Sequence, residues 1–344
     1  MRNKNHSAIW ILIVLFAFCS TLQAKSVIEM RGIVLSVEDL ETVDWPKLAH
    51  DNGINTIGTH IYPDQVLKFM QSEKGKAFQT GCKRYGIEVE HELHAIKTLL
   101  PRNLFQQDST MFRVNEKGQR TADFNCCPSS SKALDTIAAH ALFYAKNMRA
   151  TNHRYYFWMD DGAPVCHCKQ CSAYSASEQA LIIENRILRE LRTFDKKAML
   201  AHLAYFSSMK APRKIKPNKG IFLEFAPIQR VMDKPITDVS KGARNLKCNA
   251  ENLKYLKENL EVFPAKTAVV LEYWLDVSLA SSWKKPAVKL PWYPDVFRAD
   301  LDTYAKMGIR NITSFAVYMD DVYFQKYKDM QCLKDYGEVL KNYR

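Results

Sequence analysis

The sequence is short of the motifs that mark nucleotide-dependent and zinc-dependent enzymes. No G-x-G-x-x-G and no P-loop follows any strand-like run, which excludes the familiar glycine-rich dinucleotide and phosphate sites. No H-E-x-x-H is present. The nearest approach, His91-Glu92-Leu93-His94, has the wrong spacing and lies in a strand-like run, so a zinc-protease reading fails. Beyond residue 25 no apolar run approaches the ~18 residues that a membrane-spanning helix needs. Internal repeats and low-complexity segments are lacking, and no basic helix interleaved with aromatics supports a nucleic-acid partner.

What is present starts with a leader. Arg2, Lys4 and His6 precede the apolar run AIWILIVLFAF, and CSTLQA leads to Ala24. That layout predicts a secretory signal peptide over residues 1–24, followed by a mature chain, 25–344, that forms a single domain in the periplasm or outside the cell. Cys19 raises a lipoprotein anchor as the rival, disfavoured because Phe18 rather than a small residue precedes it. The 344 residues carry a formal charge of +12, concentrated in loops at 210–220 and 284–289. Such loops suit either an acidic polymer or plain solvation.

From residue 31 the chain alternates short apolar runs with helical ones. Strands are predicted at 31–37, 54–61, 87–96, 155–159, 198–206, 221–227, 267–276 and 311–321. Helices are predicted at 44–53, 63–86, 129–148, 175–194, 249–263 and 293–308, with one more in the C-terminal tail. The connection between the fifth and sixth strands is too short for a full helix. Near-continuously apolar strands alternating with helices predict a closed parallel sheet, a (β/α)8 TIM barrel, with a doubly wound open sheet as the alternative. Residues 97–125 have no helical period, and a connection of that length is expected to be functional and to lie over the barrel mouth.

Working residues of such barrels lie at the C-terminal ends of the strands. Those ends carry His60, Glu92 and His94, Asp160 and Asp161, Tyr205, Glu224, Glu272 with Tyr273 and Trp274, and Asp320 with Asp321. Carboxylates and aromatics together suit a sugar: rings cover its apolar face, and two acids serve proton transfer and an oxocarbenium-like centre. Asp160 and Asp161, followed by Gly162, could also cap a turn. Glu224 and Glu272 could pair with a buried base, and Asp320 and Asp321 better suit capping the last helix. Adjacent strand residues point to opposite faces, so Asp160 and Asp161 reach one substrate only if the strand bends.

Cys166, Cys168 and Cys171 follow the acids in a C-x-C-x-x-C pattern, and Cys126 and Cys127 lie in the preceding long loop. With Cys127 the cluster could bind a structural zinc, or it could form a disulfide, the default for an exported protein. No cofactor is expected to be needed for catalysis.

The Asp161-Gly162 pair, the cysteine cluster, Ser175 ahead of a helix containing Asn185, the run LAYFSSMKAPRKIKPNKGIFLEFAP, the EYW of the seventh strand and KMGIRNI resemble the bacterial family domain of unknown function 4838. The resemblance spans roughly residues 31–320. That family is similar in turn to glycoside hydrolases. In family 20 hexosaminidases an arginine-glycine pair opens the first strand, which implies that Arg31 holds sugar hydroxyls. Adjacent aspartates resemble family 84 hexosaminidases, which implies that Asp160 orients a substrate acetamido group and Asp161 is the general acid. An ordinary two-carboxylate mechanism through Asp161 and Glu272 is the second option. His60, His94, Tyr205, Glu224, Tyr273 and Trp274 complete the expected carbohydrate site. The functional expectation is an exported glycoside hydrolase acting on a polysaccharide or oligosaccharide, with a non-catalytic carbohydrate-binding barrel as the alternative.

Overall fold

A computed structural model describes residues 26–240 and 249–344. The expected leader, Cys19 and Cys248 lie outside the described residues. In chain order the elements are β1 (Met30–Ser36), α1 (Val37–Thr42), α2 (Trp45–Asp51), β2 (Thr56–His60), α3 (Pro63–Gln71), α4 (Glu73–Tyr85), β3 (Glu88–His94) and α5 (Ile96–Leu99). There follow α6 (Ser131–Asn147), β4 (Arg154–Trp158), α7 (Ala176–Phe194), β5 (Met199–Ala204), β6 (Ile221–Phe225), α8 (Asn249–Leu260), β7 (Val269–Glu272), α9 (Val277–Ala280), α10 (Pro294–Lys306), β8 (Asn311–Phe315), α11 (Asp321–Tyr327) and α12 (Gln331–Asn342). The strands form a closed barrel in sequence order, sealed by parallel pairing of β1 with β8 from Met30↔Asn311 to Val34↔Phe315. The fold is therefore the expected (β/α)8 barrel, and β5 and β6 are joined with only a 3-10 turn at Phe206–Ser208 between them.

Side chains of each strand divide by parity. Met30, Val34, Tyr156, Trp158, Ala201, Leu203, Phe222, Val269, Leu271 and Phe315 fill the barrel interior. The alternate positions, among them Ile33, Leu35, Ile57, Leu200, Leu223, Val270 and Ile312, pack outward under the helices. Gly58 faces inward, where an added Cβ would lie 2.4 Å from Glu92 Oε1. The glycine thus makes room for a carboxyl inside the barrel.

Three details depart from the sequence-based expectation. The helix predicted over 63–86 is broken at Ser72, whose hydroxyl caps α4 by accepting Gly75 N–H at 3.1 Å. A Cβ at Gly75 would sit 1.9 Å from Phe69 O, so the tight corner requires glycine. The long 97–125 connection contains α5 and two 3-10 turns, at Arg102–Gln106 and Ser109–Met111. The C-terminal tail is two helices, and Asp320 caps the first of them through Tyr323 N–H at 2.9 Å while pairing with Lys285 at 2.8 Å.

Parity also sends two expected site residues outward. Glu272 and Trp274 lie on the helix side of the β7 segment. Glu272 is fully buried, bound by Arg230 at 2.7 Å and by the Tyr304 hydroxyl, and Arg230 also meets Asp300 at 2.8 Å. Trp274 Nε1 donates to the same Asp300 at 3.0 Å. This network ties the β6–α8 connection to β7 and α10. Removing one member of a buried ion network leaves charge without its partner and costs about 3 kcal/mol. Glu272→Ala is accordingly expected to lower the unfolding free energy by that amount, read from urea denaturation, while leaving ligand affinity at the barrel mouth, read by calorimetry, unchanged.

Candidate active site at the barrel mouth

The strand ends surround a cavity of about 240 Å³. Its walls come from nearly every strand: Ser36 at the end of β1, His60 and Ile61, His94, Trp158 and Asp161, Leu203 and Tyr205, Ala226 and Ile228, Leu271 and Tyr273, then Phe315, Val317 and Tyr318. Asp276, Ser278 and Trp283 from the β7–α10 connection complete it. Of the residues expected from the sequence, His60, His94, Asp161, Tyr205 and Tyr273 are brought together here. Asp160, Glu272, Arg31, Glu224 and Trp274 are not.

Asp161 is the exposed acid, with 49% of its side chain accessible. It accepts the Tyr205 hydroxyl at 3.1 Å and lies 3.7 Å from His94 Nε2. The His94 Nδ1 sits 2.7 Å from the Met159 carbonyl, so this nitrogen carries the proton and Nε2 is left as the acceptor. His60 is held the same way by the Glu92 carbonyl at 2.8 Å. Burial pulls the His60 pKa down to about 3 and lowers that of His94, where Asp161 works against the shift. Both imidazoles are neutral and their rings are 5.8 Å apart, edge to face.

Asp160 turns the other way. Its carboxylate accepts Lys97 N–H at 2.8 Å and Asn125 N–H, while its own N–H donates to Asn125 Oδ1 at 2.9 Å. Both acids border the groove outside the cavity, but only Asp161 lines the cavity itself, and Asp160, its carboxylate taken by these backbone donors, fastens the long β3–α6 connection to the end of β4. The expectation of an acetamido-orienting Asp160 is corrected on this geometry. Arg31 is corrected as well: it lies near the start of β1, on the outward parity, and donates to the Gly53 and Ile28 carbonyls at 2.8 and 3.3 Å. Its guanidinium is committed at the opposite end of the barrel.

Glu224 sits below the cavity floor. It accepts Trp158 Nε1 at 2.9 Å and shares the interior with Glu90 and Glu92, all three essentially inaccessible. Burial, then neighbouring carboxyl groups, holds Glu92 and Glu224 well above the usual carboxylate range. Arg154, 3.7 Å from Glu90, is the nearby cation. Glu224 orients the floor ring, and none of the three acids lines the cavity.

Asp276 takes the place that Glu272 was expected to fill. Its Oδ1 caps α9, accepting Ser278 N–H at 3.0 Å, the Ser278 hydroxyl at 2.6 Å and Leu279 N–H at 3.2 Å, and Oδ2 is left for the cavity. Burial raises its pKa from 3.8 to about 6 against those hydrogen bonds. Asp161 and Asp276 both act on Tyr205 and Tyr273 electrostatically, so the two acids flank the same pair of rings. The sequence signal for Asp276 was the D-x-S cap pattern after β7.

Trp283 was not anticipated. It is 62% exposed and, with Ser282, adopts positive φ, at 56° and 53°. Tyr318 does so too at 73°, its N–H held by the buried Asp39 at 3.1 Å. Burial lifts the Asp39 carboxyl to about 7 while Ser36 hydrogen bonds oppose the rise. A large ring is thus held in an uncommon backbone conformation at the cavity rim.

On its other side Asp161 borders an open groove of about 1030 Å³ lined by Tyr62, Phe124 and Phe143 with Asp64, Lys97 and Arg102. Phe124, from the long β3–α6 connection, is 40% exposed, Tyr62 45% and Phe143 50%. The half-exposed acid therefore stands at the junction of a deep aromatic cavity and a shallow aromatic groove. If the Trp283 ring covers a bound ligand, Trp283→Ala is expected to weaken binding by about 1 kcal/mol, roughly fivefold in Kd, without lowering the melting temperature. Titration of oligosaccharides by intrinsic fluorescence checks this.

The four sulfurs of Cys127, Cys166, Cys168 and Cys171 lie within 4.8 Å of one another. Among the described residues no two cysteines are bonded to each other.

Solved structures of glycoside hydrolases are similar to this barrel in fold. A β-N-acetylhexosaminidase from Bacteroides fragilis superposes with a TM-score of 0.56 at 10% identity over 91% of this chain and 66% of its own. A β-galactosidase from Marinomonas ef1 gives 0.53 at 9% identity over 90% and 58%, and the catalytic domain of a β-amylase from Paenibacillus polymyxa 0.51 at 8% over 83% and 92%. At these identities the likeness is one of fold. No protein of curated function matches the chain in sequence. A family model does match, over residues 41–338, and the chain thereby belongs to the family described as Domain of unknown function (DUF4838).

Proposed function

We propose that the protein is an exported glycoside hydrolase that cleaves an oligosaccharide or polysaccharide at the mouth of its barrel, using Asp161 and Asp276 as its two carboxyl groups. The observation that carries this reading is the sharing of one aromatic-walled cavity by two acids in unlike environments. The exposed Asp161 accepts Tyr205, whereas the buried Asp276 has its pKa raised to about 6. Unequal environments of this kind separate a proton donor from an ionised partner. Asp276 protonates the departing glycosidic oxygen, and the Asp161 carboxylate supports the positive charge that develops at the anomeric carbon. The Tyr205 hydroxyl holds Asp161 in place. Trp158, Tyr273 and Phe315 receive the apolar face of the ring, and the groove on the far side of Asp161 accommodates the rest of a longer chain. This assignment exchanges the proton-donor role expected of Asp161 and replaces Glu272 by Asp276.

One feature favours a second reading, a carbohydrate-binding barrel without turnover. Asp276 Oδ1 is fully used in capping α9, which is a structural task in itself. Chromogenic aryl glycosides distinguish the two. Under the first reading wild type turns them over, and Asp161→Asn or Asp276→Asn each lowers kcat by about 10²- to 10⁴-fold with affinity retained. Absence of turnover across a broad panel, with oligosaccharide binding intact, selects the second.

The sign of the pH dependence follows from Asp276. Its folded pKa of about 6 lies above the ordinary 3.8, so the folded protein takes up this proton more readily than the unfolded chain. The stabilisation is full below 3.8 and is lost as pH rises through about 6, where the proton donor also disappears. The alkaline limb of the pH–rate profile is therefore expected near 6 and should be absent from the residual activity of Asp276→Asn.

A further inference from the structure

We propose that Cys127, Cys166, Cys168 and Cys171 bind a structural zinc ion that clamps the β3–α6 and β4–α7 connections together beside the mouth. A tetrahedral tetrathiolate site with Zn–S bonds of about 2.3 Å requires sulfur–sulfur edges of about 3.8 Å. Cys127 Sγ lies 3.7 Å from Cys168 Sγ and 3.8 Å from Cys171 Sγ, and all four sulfurs fall within 4.8 Å. A disulfide would bring one pair to about 2.05 Å and leave the other two apart. Here the four sulfurs converge on a common centre.

The surroundings suit the charge of such a site. Four thiolates around a divalent ion leave a net charge of about −2. Val114 N–H donates to Cys166 Sγ at 3.3 Å, the Ser129 hydroxyl lies 3.0 Å from Cys127 Sγ, and the Arg120 guanidinium, which donates to the Thr110 carbonyl at 3.1 Å, is near enough to act on Cys127 electrostatically. Donors around thiolates are what tunes and orients a metal's ligands. Three of the four cysteines are buried and Cys168 is partly so. A complete set of protein ligands leaves no open position, which assigns the ion to structure rather than to catalysis.

The clamp also reaches the candidate site. Cys127 follows Asn125 by two positions, and Asn125 holds Asp160 through both its backbone N–H and its Oδ1, while its Nδ2 donates to the Pro164 carbonyl at 3.0 Å. Cys127 N–H meets the Met111 carbonyl at 3.0 Å, and His167 N–H meets that of Val114 at 2.8 Å, so the turn carrying Val114 and Arg120 is packed over the sulfurs. A metal fixing these segments would fix the loop from which Asp161 projects.

The test uses the tag-free full chain, purified under reducing conditions without added metal. Elemental analysis should find about one zinc per chain, and the clustered thiols should resist alkylation until a chelator is added. Exchange with cobalt(II) should give the sulfur charge-transfer and visible d–d bands of a tetrahedral tetrathiolate centre. Cys168→Ser, the least buried ligand, should lose the bound zinc and lower the melting temperature, whereas Cys82→Ser, distant from the cluster, should retain the metal. Zinc absent from wild type, iron in its place, or a disulfide among the four by peptide mapping overturns the assignment. These readouts are independent of any glycosidase activity, so the metal site and the proposed reaction can fail separately.

Discussion

Alternation of side chains along each strand, locked by closure of the eight-stranded barrel, is the constraint from which the rest of this structure follows. Once β8 pairs with β1 no strand can slip by one residue without turning its apolar outward face inward. Parity therefore decides which polar residues see the cavity and which see the helices. His60, His94, Trp158, Tyr205 and Tyr273 share the inward parity and line the cavity or its floor. Arg31, Glu272 and Trp274 hold the outward one and are absorbed into contacts with loops and helices.

Buried charge is handled differently on the two sides of the sheet. Outside, Glu272, Asp300 and Arg230 compensate one another, and a fully buried guanidinium is tolerable because two carboxylates and the Lys234 carbonyl receive it. Inside, three glutamates face one arginine, and burial drives the surplus acids toward their neutral forms. Neutral carboxyls can share a confined core without repulsion, and through Glu224 they also fix the Trp158 ring. The cavity floor is thus supported by polar groups that never contact solvent.

At the mouth the adjacent acids have divided tasks. Asp160 spends its carboxylate on the backbone of the long connection, and Asp161, one residue on, is released to the cavity rim. Pairing between β4 and β5 is limited to Arg154↔Met199 and Tyr155↔Leu200, so the two chains separate toward the mouth and leave room for the loop that carries both acids. The thiol cluster lies at the far end of the same loop. Rigidity is concentrated around a segment that would otherwise be the loosest part of the rim.

The alternation of apolar and helical segments pointed to a parallel sheet, because each strand had to be covered on both faces and each helix on one, and its closure into a barrel rather than an open doubly wound sheet was decided by the tertiary structure. It also marked out the strand ends, and the fold brings five of the residues expected there into one cavity. It did not determine the partners of the acids. A buried base was one option for Glu272, but which base became definite only when Arg230 and Asp300, distant in sequence, were folded against it, and Asp276 was not singled out until the β7–α10 connection was laid over the mouth. Spacing suggested three clustered sulfurs; only the folding of the β3–α6 connection onto β4 brought Cys127 to them. Local pattern records what a segment prefers, whereas a functional site is a set of distances between segments, and those distances come into being only when the barrel closes.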